Sequence, residues 1–275
     1  MSAETPKASP MADEPIREWN SEAYHRLSEP QAEWGRKVLA RLKLAGTETA
    51  MDAGCGSGRL TAELAARLDR GRVVGVDLSE NMLRTARERL PAALQPRVAF
   101  VRAELERLPF DSCFDLIFST ATFHWLTDHD RLFRGLYHAL TPGGWLAAQC
   151  GGGPNLTRLL RRVEELMQRP EYRPAFAGWP TPWLFADERT TAARLAAAGF
   201  TRIETQLEQA PYTPGSIADY REFLANIVLR LHLPRIADSG LRERFLDALV
   251  QQAESSGDFE LDYWRMNFRA RRPAG

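Results

Sequence analysis

The 275-residue sequence is poor in cysteine, having only Cys55, Cys113 and Cys150. An odd number without CxxC spacing argues against a disulfide framework or a zinc site, and fits a reducing, cytoplasmic location. No apolar run approaches the ~18–20 residues that a membrane span needs. Neither sign of charge dominates, with 36 Lys and Arg against 36 Asp and Glu. No overall field therefore draws the chain to nucleic acid or to an anionic membrane. Residues 2–15 lack the apolar stretch of a signal peptide; polar and proline-bearing, they read as part of a flexible tail over residues 1–18. No metal-ligand cluster, internal repeat or long low-complexity tract is found.

What is present is an alternation. Residues 19–44 carry helical periodicity through Trp34, Val38, Leu39 and Leu42. Short apolar runs then follow at 49–53, 72–76, 97–101, 115–118 and 145–149, with amphipathic stretches between them at 60–68, 80–90 and 128–140. Such alternation predicts an α/β fold, a mostly parallel sheet with helices on both faces. Asp128 has the setting of a helix cap, and residues 141–144 (TPGG) read as the turn from that helix into a strand. Beyond Gly151 the pattern predicts helices at 155–167 and 190–198, a strand at 202–207, a helical insertion over 217–252 and a final strand from Leu261 to Ala270. The polar alternates of that final strand predict an edge or half-exposed position. The expected organisation is one domain over 19–275: lid helices 19–45, a ligand-binding core 46–150, and a cap with terminal strands 151–275.

The strongest local motif is Asp52-Ala53-Gly54-Cys55-Gly56-Ser57-Gly58, between a strand and a helix. Alternate glycines let the backbone turn tightly and approach a ligand closely, and the helix start favours a negative group. A dinucleotide fingerprint would need a third glycine where Arg59 stands. The second strand ends in Asp77, placed to accept hydrogen bonds from ribose hydroxyls; its plainer reading is a charge ahead of the cap residue Ser79. Glu104, after the third strand, could accept from an adenine amino group or simply face solvent. Cys55 reads as a small packing residue.

In order and spacing, DAGCGSG, VVGVDLS, RAELERLPF, FDLIFSTATFHWLTDH and LTPGGWLAAQ resemble the motif series of class I S-adenosylmethionine-dependent methyltransferases, and within them the trans-aconitate-methyltransferase-like branch. The resemblance is good over about residues 19–166 and looser beyond. It implies a Rossmann-like seven-stranded sheet whose last strand is antiparallel. It implies S-adenosylmethionine as cofactor, with Asp52 and Gly54 at the methionine moiety, Asp77 at the ribose, and Glu104 and Leu105 at the adenine. Gly56, Gly58, Leu78, Met82 and Thr120 join this expected cofactor set, and Tyr24, with His25, could close over it. Glu104 departs from the family's usual Asp.

The expected reaction is in-line methyl transfer to a small-molecule acceptor, by a monomer or homodimer. His124, after the fourth strand, is the candidate base for an acceptor that must lose a proton. A histidine bonded to local backbone is the competing reading. Trp125, Trp179 and Trp183 could line a pocket or fill a core, whereas His129 and His138 read as solvated. Two alternatives stand beside this. Arg265, Arg269, Arg271 and Arg272 make the carboxyl end basic, as suits a nucleic-acid methyltransferase, although residues 119–122 (STAT) stand where many base-amine methylating enzymes carry an Asn-Pro-Pro-Tyr-like segment. The other alternative is a cofactor-binding module without catalysis.

Overall fold

The alternation between residues 49 and 149 forms one side of a seven-stranded sheet in the order β3-β2-β1-β4-β5-β7-β6. The computed structural model describes residues 18–275, so all of the expected N-terminal tail but Glu18 lies outside the described residues. The strands are β1 (Thr49–Ala53), β2 (Arg72–Asp77), β3 (Val98–Arg102), β4 (Phe114–Thr120), β5 (Leu140–Gly151), β6 (Thr201–Gln209) and β7 (Trp264–Arg271). The first five pair in parallel, whereas β7 runs antiparallel between β5 and β6.

Two helices precede the sheet, α1 (Ser21–Leu27) and α2 (Glu29–Arg41), parted at Ser28 with Pro30 in the first turn of the second. Next come α3 (Arg59–Ala66), α4 (Glu80–Arg89) and α5 (His129–Ala139). Ser79 and Asp128 cap α4 and α5, each accepting a backbone N–H from three residues on. Val38 and Leu39 of α2 pack with Leu64 and Ala65 of α3 on one sheet face. Leu132 and Leu136 of α5 pack on the other, with Leu195 of α8 (Glu188–Ala197).

The cap has its own core. It joins α6 (Thr157–Met167), α7 (Arg173–Phe176), α9 (Ile217–Phe223) and α10 (Ser239–Ser256) through Leu159, Val163, Phe176, Phe223 and Phe245. The insertion expected as helix over 217–252 is broken by a π-helical turn, Leu224–Val228, and a 3-10 turn at Leu233–Arg235. Pro234 lacks the N–H that a continuous helix would use there.

Three expectations need correction. Strand β5 runs through the 141–144 segment instead of starting at 145, its pairing with β4 shifting register between Phe114 and Leu116. The final strand is not at an edge, because β6 covers its free side. Within it Asn267 is buried and satisfied across strands: Gln149 Nε2 donates to Asn267 Oδ1 at 2.8 Å, and Asn267 Nδ2 to Glu208 Oε2 at 3.2 Å. His129 is buried too, at 4% exposure, with its Nε2 3.0 Å from the Phe123 carbonyl.

Candidate active site

The loop from Asp52 to Gly58 leaves the carboxyl end of β1. Gly54, Gly56 and Gly58 all have positive φ, 78, 53 and 77°. At Gly54 the need for glycine is also steric, since a Cβ would sit 2.2 Å from the Thr122 side chain. The loop is braced on both sides. Gly54 and Cys55 donate backbone N–H to the Val76 carbonyl at 2.7 and 3.0 Å, and Ser119 Oγ donates to the Ala53 carbonyl at 2.7 Å.

Two acids stand behind this loop. Asp52, buried, accepts from Thr61 Oγ1 at 2.6 Å. Burial pushes its carboxyl up to about 7, against the opposing pull of that hydrogen bond. The Asp77 carboxylate accepts from Gly56 N–H and Ser79 N–H, both at 2.9 Å. Burial raises it as well, while those backbone donors hold it down.

The loop borders a cavity of about 50 Å³ lined by Asp52, Gly54, Gly56, Thr120 and Tyr24. A second cavity of about 40 Å³ adjoins it, and Tyr24, Gln31 and Ala121 line both. Ala121 is held at φ 54°, unusual for a residue with a side chain. The second cavity is walled by aromatic rings, Trp19, Trp125, Trp183, Phe185 and Tyr263 among them. His124 and Arg265 also line it.

The His124 geometry bears on its expected role as a base. Gly151 N–H donates to His124 Nδ1 at 3.2 Å, so the proton of the neutral ring sits on Nε2. Burial, and then Arg265, hold the imidazole well below its usual titration range. Its one ring lone pair accepts from backbone, which leaves Nε2–H as the ring's donor.

Helix α1 covers both cavities. His25 Nδ1 lies 3.0 Å from Ser57 Oγ, and Arg59 Nη2 donates to the His25 carbonyl at 2.7 Å. On its other side, Arg26 forms a two-pronged ion pair with Glu222 of α9 at 2.8 and 2.5 Å. The Arg230 guanidinium lies 3.7 Å from the Trp19 ring centre. A cofactor-sized ligand needs several hundred Å³, so its entry requires α1 and the cap to part.

The expected site residues do not all converge. Gly58 caps α3 against Ala86. Met82 and Leu105 are buried, the latter in the core under α5, whereas Leu78 is 43% exposed. Glu104 is exposed and pairs with Arg107 at 3.5 Å. Trp125 and Trp183 line the second cavity, but Trp179 packs instead on His232.

Sequence reasoning missed Gln31, Asn155, Tyr263 and above all Arg265, taken for part of a basic tail. The four arginines of that tail are engaged within the fold: Arg269 with Glu204, Arg271 with the Gly143 carbonyl, Arg272 with the carbonyls of Tyr137, His138 and Leu140, and Arg265 in the interior. The signal was present in Trp264-Arg265-Met266-Asn267-Phe268, where apolar residues flank each polar one. An inner strand buried on both faces gives that pattern as readily as an edge does.

A larger cavity, about 770 Å³, lies by the amino ends of β1 and β4, between the end of α2 and the sheet, bordered by Leu44, Trp145 and Arg269. Ligands of open α/β sheets bind outside the carboxyl ends, at the switch between neighbouring strands. Here that switch is β1/β4, where the glycine loop sits.

Residues 50–144 match the family described as methyltransferase domain. The chain is 40% identical over 180 residues to a trans-aconitate 2-methyltransferase of Azoarcus sp., a match covering 66% of this chain and 60% of that protein. Against several further proteins of that name the match spans about half of their length. Among solved structures, a putative methyltransferase of Bacillus halodurans aligns with a TM-score of 0.60 at 16% identity, covering 87% of this chain and 98% of that one. A Haemonchus contortus phosphoethanolamine N-methyltransferase in complex with S-adenosylhomocysteine aligns with a TM-score of 0.57 at 20% identity, covering 92% and 57%. Residues 50–144 therefore match a methyltransferase domain, and the chain is related in sequence to the trans-aconitate 2-methyltransferases.

Proposed function

We propose that the chain binds S-adenosylmethionine at the carboxyl ends of β1, β2 and β4 and methylates a small molecule held under the cap. The observation that carries this reading is the pairing of two adjoining cavities. One is built on the glycine loop and its two acids, the other on the cap, with Tyr24, Gln31 and Ala121 between them.

The residues fit that cofactor. A Cβ added at Gly56 would meet only Tyr24 Cε1, at 3.9 Å, so the loop backbone is open toward the cavity. Gln31 Oε1 is buried without a partner, and Asp52 lies on the same cavity. Together they suit the ammonium of a methionine moiety. Asp77 retains lone pairs for ribose hydroxyls beyond its two backbone bonds. A pyrophosphate would fit poorly beside these acids, and Arg59 is already paired with Glu29.

When bound, the cofactor supplies a methyl group already activated on a sulfonium. The chain's part is to orient the acceptor and exclude water, which α1 and the cap accomplish by covering both cavities. No lone-pair base lines the second cavity: His124 is a donor, and burial raises the Tyr24 phenol to about 12. This favours an acceptor that arrives with its own negative charge. The relatives named as trans-aconitate 2-methyltransferases make small organic acids the first class to screen.

Calorimetric titration with S-adenosylhomocysteine beside NADH tests the reading. Micromolar binding of the first and none of the second is expected. Binding of NADH alone, or of neither by well-folded protein, would overturn it.

A further inference from the structure

Arg265 is fully buried, and no carboxylate pairs with it among the described residues. Its Nε donates to the Trp264 carbonyl and its Nη2 to Asn155 Oδ1, both at 3.2 Å. The rest of its setting is aromatic: the guanidinium carbon lies 4.7 Å from the Trp34 ring centre and 5.1 Å from that of Tyr263. A buried guanidinium without an anion is costly. Burial alone is enough to lower its hold on its proton. This side chain borders the second cavity, where His124 presents Nε2–H as a further donor.

Resting on the methyl-transfer reading above, we propose that the acceptor carries a single carboxylate on a flat apolar body, anchored by Arg265 and His124 and stacked among the aromatic rings of the cap cavity. Charge counting separates this from a tricarboxylate. Arg265 is the one Lys or Arg among the described residues lining that cavity. Arg59, beside the glycine loop, is held by Glu29 and the His25 carbonyl. Three carboxylates would outnumber Arg265 even together with Arg230, whose guanidinium lies against the Trp19 and Trp125 rings and donates to the Glu18 carbonyl. One carboxylate does not, and the rings offer a planar body large apolar contact, with Trp183 and Phe185 stacked 18° apart in plane.

The chemistry balances without a base. A carboxylate oxygen forms the new C–O bond to the methyl carbon as the C–S bond breaks, and that bond's electron pair leaves with sulfur. No proton moves. The ester is neutral, so it loses the charge-assisted bonds to Arg265 and is released more easily than the acid is held.

The test uses the full chain with S-adenosylhomocysteine for binding and S-adenosylmethionine for turnover. Probes are benzoate, trans-cinnamate, their primary amides and trans-aconitate. Expected are tighter binding of the two monocarboxylates than of their amides or trans-aconitate, and methyl esters detected by mass spectrometry. Arg265→Met should raise the KM for trans-cinnamate on the order of a hundredfold with S-adenosylhomocysteine affinity unchanged, and Arg265→Lys should recover part of the loss. Preference for trans-aconitate, or equal binding of acid and amide, would overturn the proposal. So would an Arg265→Met variant that loses S-adenosylhomocysteine affinity while its acceptor KM stays put. If Arg265→Met fails to fold, the acid-against-amide comparison on the natural chain decides. Selective binding of monocarboxylates by protein that ignores S-adenosylhomocysteine would sink the methyl-transfer reading and support the anion subsite.

Discussion

The two adjoining cavities differ in charge and in origin. The glycine-loop cavity is an acceptor of donors, with buried Asp52 raised to about 7, Asp77 behind the loop and an unpartnered Gln31 oxygen. The cap cavity presents the opposite character, a buried guanidinium and a histidine N–H among rings. The first is built on the segments that follow β1 and β4, closed over by residues 24–32 of the two leading helices. The second is drawn from segments around residues 19–31, 121–125, 155, 183–185, 227 and 265, brought together only by the cap and the inner position of β7. One half is therefore suited to a cationic, hydroxyl-bearing ligand and the other to an anion. The wall of Tyr24, Gln31 and Ala121 is where the two ligands would meet.

The largest expected effect on cofactor binding breaks the first half. Asp77→Ala removes the acceptor for Gly56 N–H and Ser79 N–H as well as for the ribose hydroxyls. Charge-assisted bonds are worth ~1.5–3 kcal/mol each in general, so S-adenosylhomocysteine should bind at least about tenfold more weakly. Circular dichroism should show an intact fold. Unchanged affinity in calorimetry would remove Asp77 from the cofactor site and leave it as a loop brace.

That half was legible in the sequence because its signals are local. Positive-φ glycines, a strand-ending acid and a capping serine are each written within a few residues, and the sheet order follows from strand–helix alternation. The cap half was not. Arg265 is polar on a strand, and period-two reasoning sends such a residue outward unless a further strand covers it. Tyr263 has no motif at all, and His124 was visible only as a histidine. Which ring nitrogen holds the proton depends on Gly151 N–H, 27 residues away. Glu104 is a motif position whose side chain lies in solvent against Arg107.

A smaller effect sharpens the electrostatic contrast. Asp52 has a folded value near 7 against about 3.9 for a free aspartate. Because the folded value is raised, the native state holds a proton that the unfolded chain has lost between those limits. Its stabilising share is complete below about pH 4 and is lost as pH rises through 7. Asp52→Asn, which cannot ionise, should therefore unfold at a temperature that gains on the natural chain between pH 5 and 8. A cationic ammonium at Asp52 would favour the ionised form, so S-adenosylhomocysteine binding near pH 6.5 should release a fraction of a proton. Calorimetry in two buffers of different ionisation enthalpy reads this directly. If the heats agree after correction for neither buffer, or if Asp52→Asn releases as much, the ammonium is not seated at Asp52.

The smallest effect concerns what holds the two halves closed. Arg26 and Glu222 bridge α1 to the cap across the surface, with side chains 60% and 37% exposed. Ion pairs of that exposure contribute little and are weakened by salt. Glu222→Gln should leave the cofactor contacts untouched, since neither residue lines a cavity, and should ease the parting of α1 from the cap. Stopped-flow displacement should then show S-adenosylhomocysteine leaving about two- to threefold faster at low salt, with the difference vanishing at high salt. The Trp19–Arg230 contact at the same junction is independent of that ion pair and remains in the variant, which is why the change is expected to be small. An unaltered off-rate at low salt would mean that α1 opens elsewhere, at its contacts with Ser57 and Arg59, and that the glycine loop instead of the cap controls entry.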